Sequence, residues 1–370
     1  MENENWYRLR DTDQMVTPCL LVYPDRIQQN IERMLEITGS PSRLRPHIKT
    51  HKTAEIIQMQ LDHGIRQFKC ATIAEAELLG NCAAPDVLLA MQPVGYNIIR
   101  LFNLIAAFPE TRFSTLVDSR EIVAELDVEA GKRSIKLPLY LDLNTGMNRT
   151  GIIPGNQALE LYRMISESKN LEAEGLHAYD GHIRNTDFEE RKAECGKAFE
   201  AVERLKKSIE NEGIRVKSVI AGGSPSFPVH ALNPEVITSP GTTLLWDARY
   251  EELFPEMKML KAAVLCSRVI SKPAPNTICL DLGHKALAPE MPFPRVELLD
   301  IENCRQVSQS EEHLVLECEY PDQYRIGDVV YAIPMHICPT VAKYNKLITI
   351  TNGQVSGSWK VAARDHQLTI

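Results

Sequence analysis

The chain has 370 residues, 44% hydrophobic and 24% charged, with a formal net charge of −8. That is the composition of a globular protein able to bury one large core or two domains. It argues against nucleic acid as a partner, because phosphate backbones select a broad basic face. No stretch approaches the ~20 apolar residues of a membrane span, and the N-terminal run MENENWYRLRDTDQ lacks the apolar centre of a signal peptide. The nine cysteines stand singly, without a C-x-x-C pair. They are expected as reduced thiols of a cytoplasmic protein, with Cys70 and Cys266 among the buried ones.

In chain order, strand-like runs fall at 17–23, 43–49, 67–70, 86–91, 112–117, 137–143, 171–178, 218–223 and 235–241. Helical patterns separate most of them. The segment 74–79 is entered through Thr72-x-x-Glu75, and 121–126 follows the fourth barrel strand. The longest pattern runs from Phe188 to about Asn211, with Phe188, Cys195, Phe199, Val202, Leu205 and Ile209 at helical spacing. Thr186-x-x-Glu189 opens it as a capping box, and Gly213 follows its end. Eight alternating strand–helix units from about residue 25 to 245 predict an α/β fold, a (β/α)8 TIM-type barrel. An open doubly wound sheet would carry a G-x-G-x-x-G after its first strand, and none is present. Beyond about residue 255 the runs AAVLCSRVI, NTICLDLG, EEHLVLECEY, DVVYAIP and LITITNGQVSGSWKVAAR read as strands and turns. The expected organisation is a barrel over 25–250 and a second, β-rich domain made of 1–24 plus 251–370.

Barrel active sites lie at the C-terminal ends of the strands. The first strand ends in RPHIKTHKT, where alternation would put Arg45, His47, Lys49 and His51 on one face. A basic run of this kind is ordinarily solvated surface, so the other strand ends decide its meaning. The fifth is followed by NTGMNRTG with Arg149, and the sixth ends in HAYDGH with His177, Tyr179 and His182. The seventh ends at Gly222-Gly223-Ser224 and the eighth at Gly241-Thr242. Glycine-rich loops after the last two strands are where a barrel commonly holds a phosphate. A phosphate there and an amine at Lys49 on the first strand together suggest pyridoxal phosphate, whose aldehyde needs a lysine for its Schiff base.

These motifs resemble the fold-type III pyridoxal phosphate enzymes, the alanine racemase group, and within it the branch of D-threonine aldolase and metal-dependent D-serine dehydratase. RPHIKTHK resembles the branch's cofactor-lysine motif, ATIAEAE (71–77) its second-strand motif, and AGGSPS and SPGTT its phosphate loops. DLGHKALAPE (281–290) and PMHICPTVA (334–342) resemble motifs of its β domain. The resemblance implies Lys49 as the Schiff-base lysine and Arg149 at the phenolic oxygen of the cofactor; His177, Tyr179 and His182 could position the ring or act as bases, and Tyr179 is taken as cofactor-binding. Gly222, Gly223, Ser224, Gly241 and Thr242 would hold the phosphate. It implies a divalent metal on His336 and Cys338, with Zn2+ first and Mn2+ or Co2+ as alternatives; an i, i+2 pair in an extended segment would bring imidazole and thiolate to one side. The catalytic set is then Lys49, His336 and Cys338. The implied substrate is a small D-3-hydroxy amino acid, either D-threonine cleaved to glycine and acetaldehyde or D-serine converted to pyruvate and ammonia. The implied assembly is a homodimer. A racemase and a non-catalytic pyridoxal phosphate carrier are the alternatives.

Overall fold

The computed structural model describes residues 5–370. Seven strands, Gln67–Cys70, Asp86–Leu89, Arg112–Val117, Leu137–Leu143, Leu171–Ala178, Ser218–Ala221 and Val236–Thr238, pair in chain order and all in parallel. The eighth place in the ring belongs to 43–49, although this segment is not the continuous strand expected. Leu44 bridges Thr238 on one side and His47 bridges Lys69 on the other. Arg45 N donates to Thr238 O at 2.9 Å, His47 N to Pro240 O at 2.8 Å, and Lys69 N to Pro46 O at 2.9 Å. Proline cannot donate to a ladder, so Pro46 takes part only through its carbonyl. The chain then winds into a 3-10 turn at Ile48–Thr50, which ends the extended conformation at Lys49.

The helices follow their sequence signals closely. Thr72 caps Ile73–Asn81 by accepting from Glu75 N at 3.1 Å, and Glu75 Oε2 accepts from Ala71 N at 2.6 Å. The long helix spans Phe188–Asn211, with Asp187 rather than Thr186 as its cap; Asp187 accepts from Glu190 N at 2.9 Å. A carboxylate suits this position because it also meets the positive end of the helix dipole.

Leu88, Leu116, Tyr140 and Ile220 make an apolar layer across the barrel. On the side of the strand N-termini lies Arg45, 1% exposed. Its guanidinium grips Asp86 at 2.7 and 3.2 Å and Gln67 at 2.7 Å. Arg45 therefore serves the floor of the barrel, not the face of Lys49 that alternation suggested. The histidines of the same run have local duties. His47 Nδ1 accepts from Lys49 N and His51 Nδ1 from Thr53 N, each at 3.2 Å. His51 is fully buried, and that burial pushes its imidazole down to about 3, so it is neutral.

The chain divides into two compact units. One is the barrel: Met34–Lys49, Ile57–Gly241 and Asp365–Ile370. The other gathers the chain up to Arg33, Thr50–Ile56 and Thr242–Arg364 around the β-rich sheet. Within this second unit the buried side chain of Asn30 donates to Leu244 O and Leu260 O and accepts from Leu260 N, which is one reason the first helical turns group there. Its central strand Cys19–Val22 lies antiparallel to Ala263–Ala274 and parallel to Lys346–Thr351. Val329–Pro334 also pairs with Ala263–Ala274. Leu21, Val264, Cys266, Tyr331, Ile333 and Ile350 pack in its core.

Cysteine chemistry departs from expectation at one place. Cys304 and Cys318 face each other across adjacent antiparallel strands and form a disulfide, with Cα atoms 4.1 Å apart. Direct opposition in a ladder brings two thiols within bonding reach, which scattered sequence spacing does not reveal. Cys70 and Cys266 are fully buried and stand outside any disulfide. Among the described residues no helix is long and apolar enough to cross a membrane.

The buried guanidinium gives a stability test. Asp86→Ala removes the countercharge of Arg45 and leaves Gln67 as its side-chain acceptor. Removing one partner of a buried pair costs about 3–5 kcal/mol, and roughly 3 kcal/mol is expected from urea unfolding because Asp86 is itself a quarter exposed.

Candidate functional site

Alternation along the strands turns Lys69, Asp142 and His177 into the barrel, on the mouth side of its apolar layer. All three are buried. Asp142 Oδ1 lies 2.7 Å from His177 Nδ1, and His177 Nε2 lies 3.4 Å from Lys69 Nζ. The other Asp142 oxygen accepts from Gln92 Nε2 at 2.9 Å, and the same amide donates to Asp118, whose carboxylate also accepts from Gly151 N at 2.8 Å. Burial and the charge of Lys69 hold the His177 imidazole below its ordinary value, against the pull of Asp142. Burial alone would raise the Asp142 carboxyl, but the bond from His177 outweighs it and leaves the group below the usual range. Asp142 is thus an ionised acceptor, His177 is neutral with its proton on Nδ1, and Nε2 is left to accept from Lys69. Burial and the neighbouring charge of Lys49 push the Lys69 amine down to about 7.

Above this layer the half-buried Tyr179 ring faces Lys69 Nζ at 5.9 Å and the Arg149 guanidinium at 5.0 Å. The exposed Arg149 and Tyr179 are therefore brought together, and His182, also exposed, lies against Gly146 instead. The ring of Tyr179 rests on the glycine loop. A Cβ added to Gly223 would come within 2.9 Å of Tyr179 Cε2. Gly222 has φ +83°, and a Cβ there would meet His230 at 2.9 Å.

The loop's N–H groups are largely committed within the barrel. Gly222 N donates to Ala178 O, Gly223 N to Ser226 Oγ, and Gly241 N to Ser224 Oγ, each at 3.1 Å. The last bond ties the two glycine loops together. The glycines contribute room rather than bare donors, a correction to what their sequence alone suggested. Behind the loop Asp180 accepts from Ser226 Oγ at 2.5 Å and faces His230 Nε2 at 2.6 Å. Burial raises the Asp180 carboxyl, yet its bonds with His230 and Ser226 prevail and hold it below the ordinary value. Asp180, Cys195 and His230 have metal-binding chemistry and ligand atoms within 4.8 Å of one another. Both carboxylate oxygens are nevertheless occupied by short hydrogen bonds, so this is a closed cluster that props the loop through Ser226.

In the β-rich unit His336 and Cys338 do not lie in an extended segment. His336 caps the helix Ile337–Val341, and Cys338 sits in its first turn. They still meet: burial lowers the His336 imidazole, but bonds with Cys338 and Glu290 prevail and push it up to about 9. His336 Nδ1 lies 2.6 Å from Glu290 Oε1, which leaves Nε2 unengaged by that carboxylate. Cys338 Sγ lies 3.1 Å from Thr50 Oγ1 and 3.6 Å from Thr242 Oγ1. Thr242 thus keeps company with Cys338, while Gly241 belongs to the barrel loop. Asp247 accepts from Ile337 N at 3.1 Å and from Tyr250 N at 2.9 Å. Burial pushes its carboxyl up to about 6 despite those bonds.

Sequence reading missed Lys69, Asp142, Asp180 and Glu290. The first two carried a usable signal: each is a charged residue inside an otherwise apolar run, QFKC and LYLDL. Asp180 and Glu290 carried none, since each acts through a partner distant in sequence.

Comparison with known proteins bears on both units. The family described as alanine racemase, N-terminal domain, matches residues 22–247, and the putative serine dehydratase domain matches 262–350. The chain is 26% identical over 371 aligned positions to 3-hydroxy-D-aspartate aldolase of Paracoccus denitrificans (strain Pd 1222), covering 96% of this chain and 93% of that protein. It is 24% identical to D-serine dehydratase of Dictyostelium discoideum, covering 95% and 97%. Among solved structures, D-threonine aldolase from Filomicrobium marinum superposes with a TM-score of 0.85 at 26% identity, covering 94% of this chain and 96% of that one.

The loop prop has an acid signature. The Asp180 carboxyl lies below its unfolded value of about 3.9. Its contribution is present above about pH 4 and is lost as pH falls through the folded value. Asp180→Asn should cost about 2 kcal/mol at neutral pH. It should also make the stability–pH curve shallower below about pH 4, read from urea midpoints across the acid range.

Proposed function

The chain belongs to the alanine racemase family, and from that premise we propose that it is a lyase for D-3-hydroxy amino acids, dependent on pyridoxal phosphate and a divalent metal. The observation that carries this reading is the sequence Lys49-Thr50, in which the residue after the candidate cofactor lysine sets its hydroxyl 3.1 Å from Cys338 Sγ. An amine suited to a cofactor aldehyde is thus one peptide bond away from a residue that touches the thiol of the metal pair. Neither an amino acid racemase nor a pyridoxal phosphate carrier has a use for that pair.

The residues present fit both groups. Gly222 and Gly223 leave space that a Cβ would fill, and the Ser224 bond to Gly241 N holds the two loops together. Ser224, the glycines and Thr242 would receive the phosphate, Arg149 and Tyr179 would lie beside the ring, and Lys49 would hold the cofactor. His336 Nε2 and Cys338 Sγ would hold the metal. Imidazole and thiolate suit zinc first, with Mn2+ or Co2+ as harder alternatives, and two protein ligands leave positions open for a substrate oxygen. Pyridoxal phosphate, when bound, supplies the electron sink that lets a bond at the substrate Cα break. A divalent metal, when bound, supplies a Lewis acid that lowers the pKa of the substrate hydroxyl. The protein's own part is to orient and to move protons. Glu290 holds the His336 ring, and Lys49 would serve as the base at the substrate Cα.

Carbon–carbon cleavage to glycine and an aldehyde is the principal reading, supported by aldolases that match nearly the whole chain. Dehydration to a keto acid and ammonia is the second, favoured by the serine dehydratase match. The two differ in the proton removed first: the hydroxyl proton for cleavage, the Cα proton for dehydration. A homodimer is part of the proposal, tested by sedimentation.

Products formed from D-threonine, D-serine and D-3-hydroxyaspartate, with and without a chelator, test the reading directly. Glycine with an aldehyde supports cleavage, and ammonia with a keto acid supports dehydration. Full turnover in metal-free protein would overturn the metal role. Lys49→Ala should abolish the visible absorption of the lysine-bound cofactor. Glu290→Ala should weaken metal binding about 10–100-fold in a chelator competition, and His336→Ala and Cys338→Ala should abolish it.

A further inference from the structure

Two carboxylates near the barrel mouth share one amide. Gln92 follows the strand Asp86–Leu89, and its Nε2 donates to Asp118 Oδ2 and to Asp142 Oδ2, each at 2.9 Å. Both neighbours are acceptors, so the amide must turn its nitrogen toward them, and both of its N–H groups are used. Asp142 is buried in the strand Leu137–Leu143, and Asp118 follows the strand Arg112–Val117. Carboxylates that share a site repel one another. A donor set between them offsets part of that repulsion and fixes their spacing.

Each carboxylate also holds the foot of the loop that carries Arg149. Asp118 Oδ2 accepts from Gly151 N at 2.8 Å, and Asp142 is bonded by the Thr150 side chain as well as by His177. Gly151 has φ +94°, and a Cβ there would come within 2.6 Å of the Leu143 carbonyl carbon. Glycine is what lets the chain press this close to the strand end. The next residue completes the anchor: Ile152 N donates to Asp142 O at 2.9 Å, and Asn144 N to Ile152 O at 3.0 Å. Arg149 stands immediately before this foot, with its guanidinium 5.0 Å from the centre of the Tyr179 ring. Tyr179 lies two residues beyond His177 on the chain, so the contacts close a circuit. It runs from Arg149 through Gly151, Asp118, Gln92, Asp142 and His177 to Tyr179, and back to Arg149. We propose that Gln92 is a positioning residue that acts through Arg149: by clamping Asp118 to Asp142 it holds the foot of the loop and keeps the guanidinium beside the Tyr179 ring. Without the amide, Asp118 is held only from the loop it is meant to anchor, and it is pushed away from Asp142.

The inference rests on Arg149 serving the cofactor, and one experiment separates the two. Apoprotein is titrated with pyridoxal phosphate, and affinity is read from the lysine-bound absorption. Gln92→Leu, which fills similar space without an N–H, should weaken binding about tenfold, the scale of one lost hydrogen bond to a charged group. In an Arg149→Ala background the same substitution should change affinity less than about twofold, because residues that act as a unit do not add. Asp118→Ala should behave like Gln92→Leu, so a packing defect at one position does not decide the result. Asp118→Asn, whose side-chain oxygen still accepts from Gly151 N, should recover most of the affinity. Equal weakening by Gln92→Leu with and without Arg149, or wild-type affinity in both Gln92→Leu and Asp118→Ala, would overturn the inference and leave the cofactor reading intact. If wild-type protein develops no such absorption, or if Arg149→Ala binds as wild type does, that part of the cofactor reading falls and this inference falls with it.

Discussion

Three main-chain hydrogen bonds close the barrel on either side of 43–49. Arg45 and His47 donate to Thr238 and Pro240 on one edge, and Pro46 accepts from Lys69 on the other. Without them the seven-stranded sheet would have two open edges and no fixed place for Lys49. The closure also fixes what surrounds that lysine. His47 comes to lie beside Lys69, and the turn at Ile48–Thr50 ends the extended run at Lys49. The proline within the run is compatible because a bridge needs only its carbonyl.

The barrel interior is layered by charge. Arg45 with Asp86 and Gln67 lies at one end, an apolar layer around Tyr140 in the middle, and Lys69, His177 and Asp142 toward the mouth. Each charged layer is hydrogen-bonded within itself, as burial requires. The lower one is a tight ion pair and serves stability. The upper one is held together by a neutral imidazole and a lysine of lowered basicity. The same layout puts the glycine loops above a polar floor and props them from behind by Asp180.

The β-rich unit follows the same logic with different chemistry. His336 is turned by Glu290, Ile337 N is held by Asp247, and Cys338 lies between the hydroxyls of Thr50 and Thr242. A carboxylate on Nδ1 fixes the tautomer, and so decides which nitrogen is offered to a metal. The bonds with Cys338 and Glu290 keep His336 more basic than an ordinary imidazole.

Local patterns were enough for the order of elements, because strand alternation and helix spacing are written in neighbouring residues. Phe188–Asn211 and the Thr72 cap could be read almost to the residue. The glycine loops and the basic run around Lys49 stood out for the same reason, since each is a short local run. What could not be read depends on residues far apart in the chain. The disulfide needed the register of two strands, and the true role of Arg45 needed Asp86 beside it. The helical turn at Cys338 and the Glu290 partner of His336 arise where separate segments pack. Lys69 is the clearest case: a lysine in QFKC is unremarkable in sequence, and only ring closure sets it against His177, 108 residues away. Sequence alone determined which residues could do chemistry. Tertiary structure decided which of them are buried together, and burial is what changes their charge.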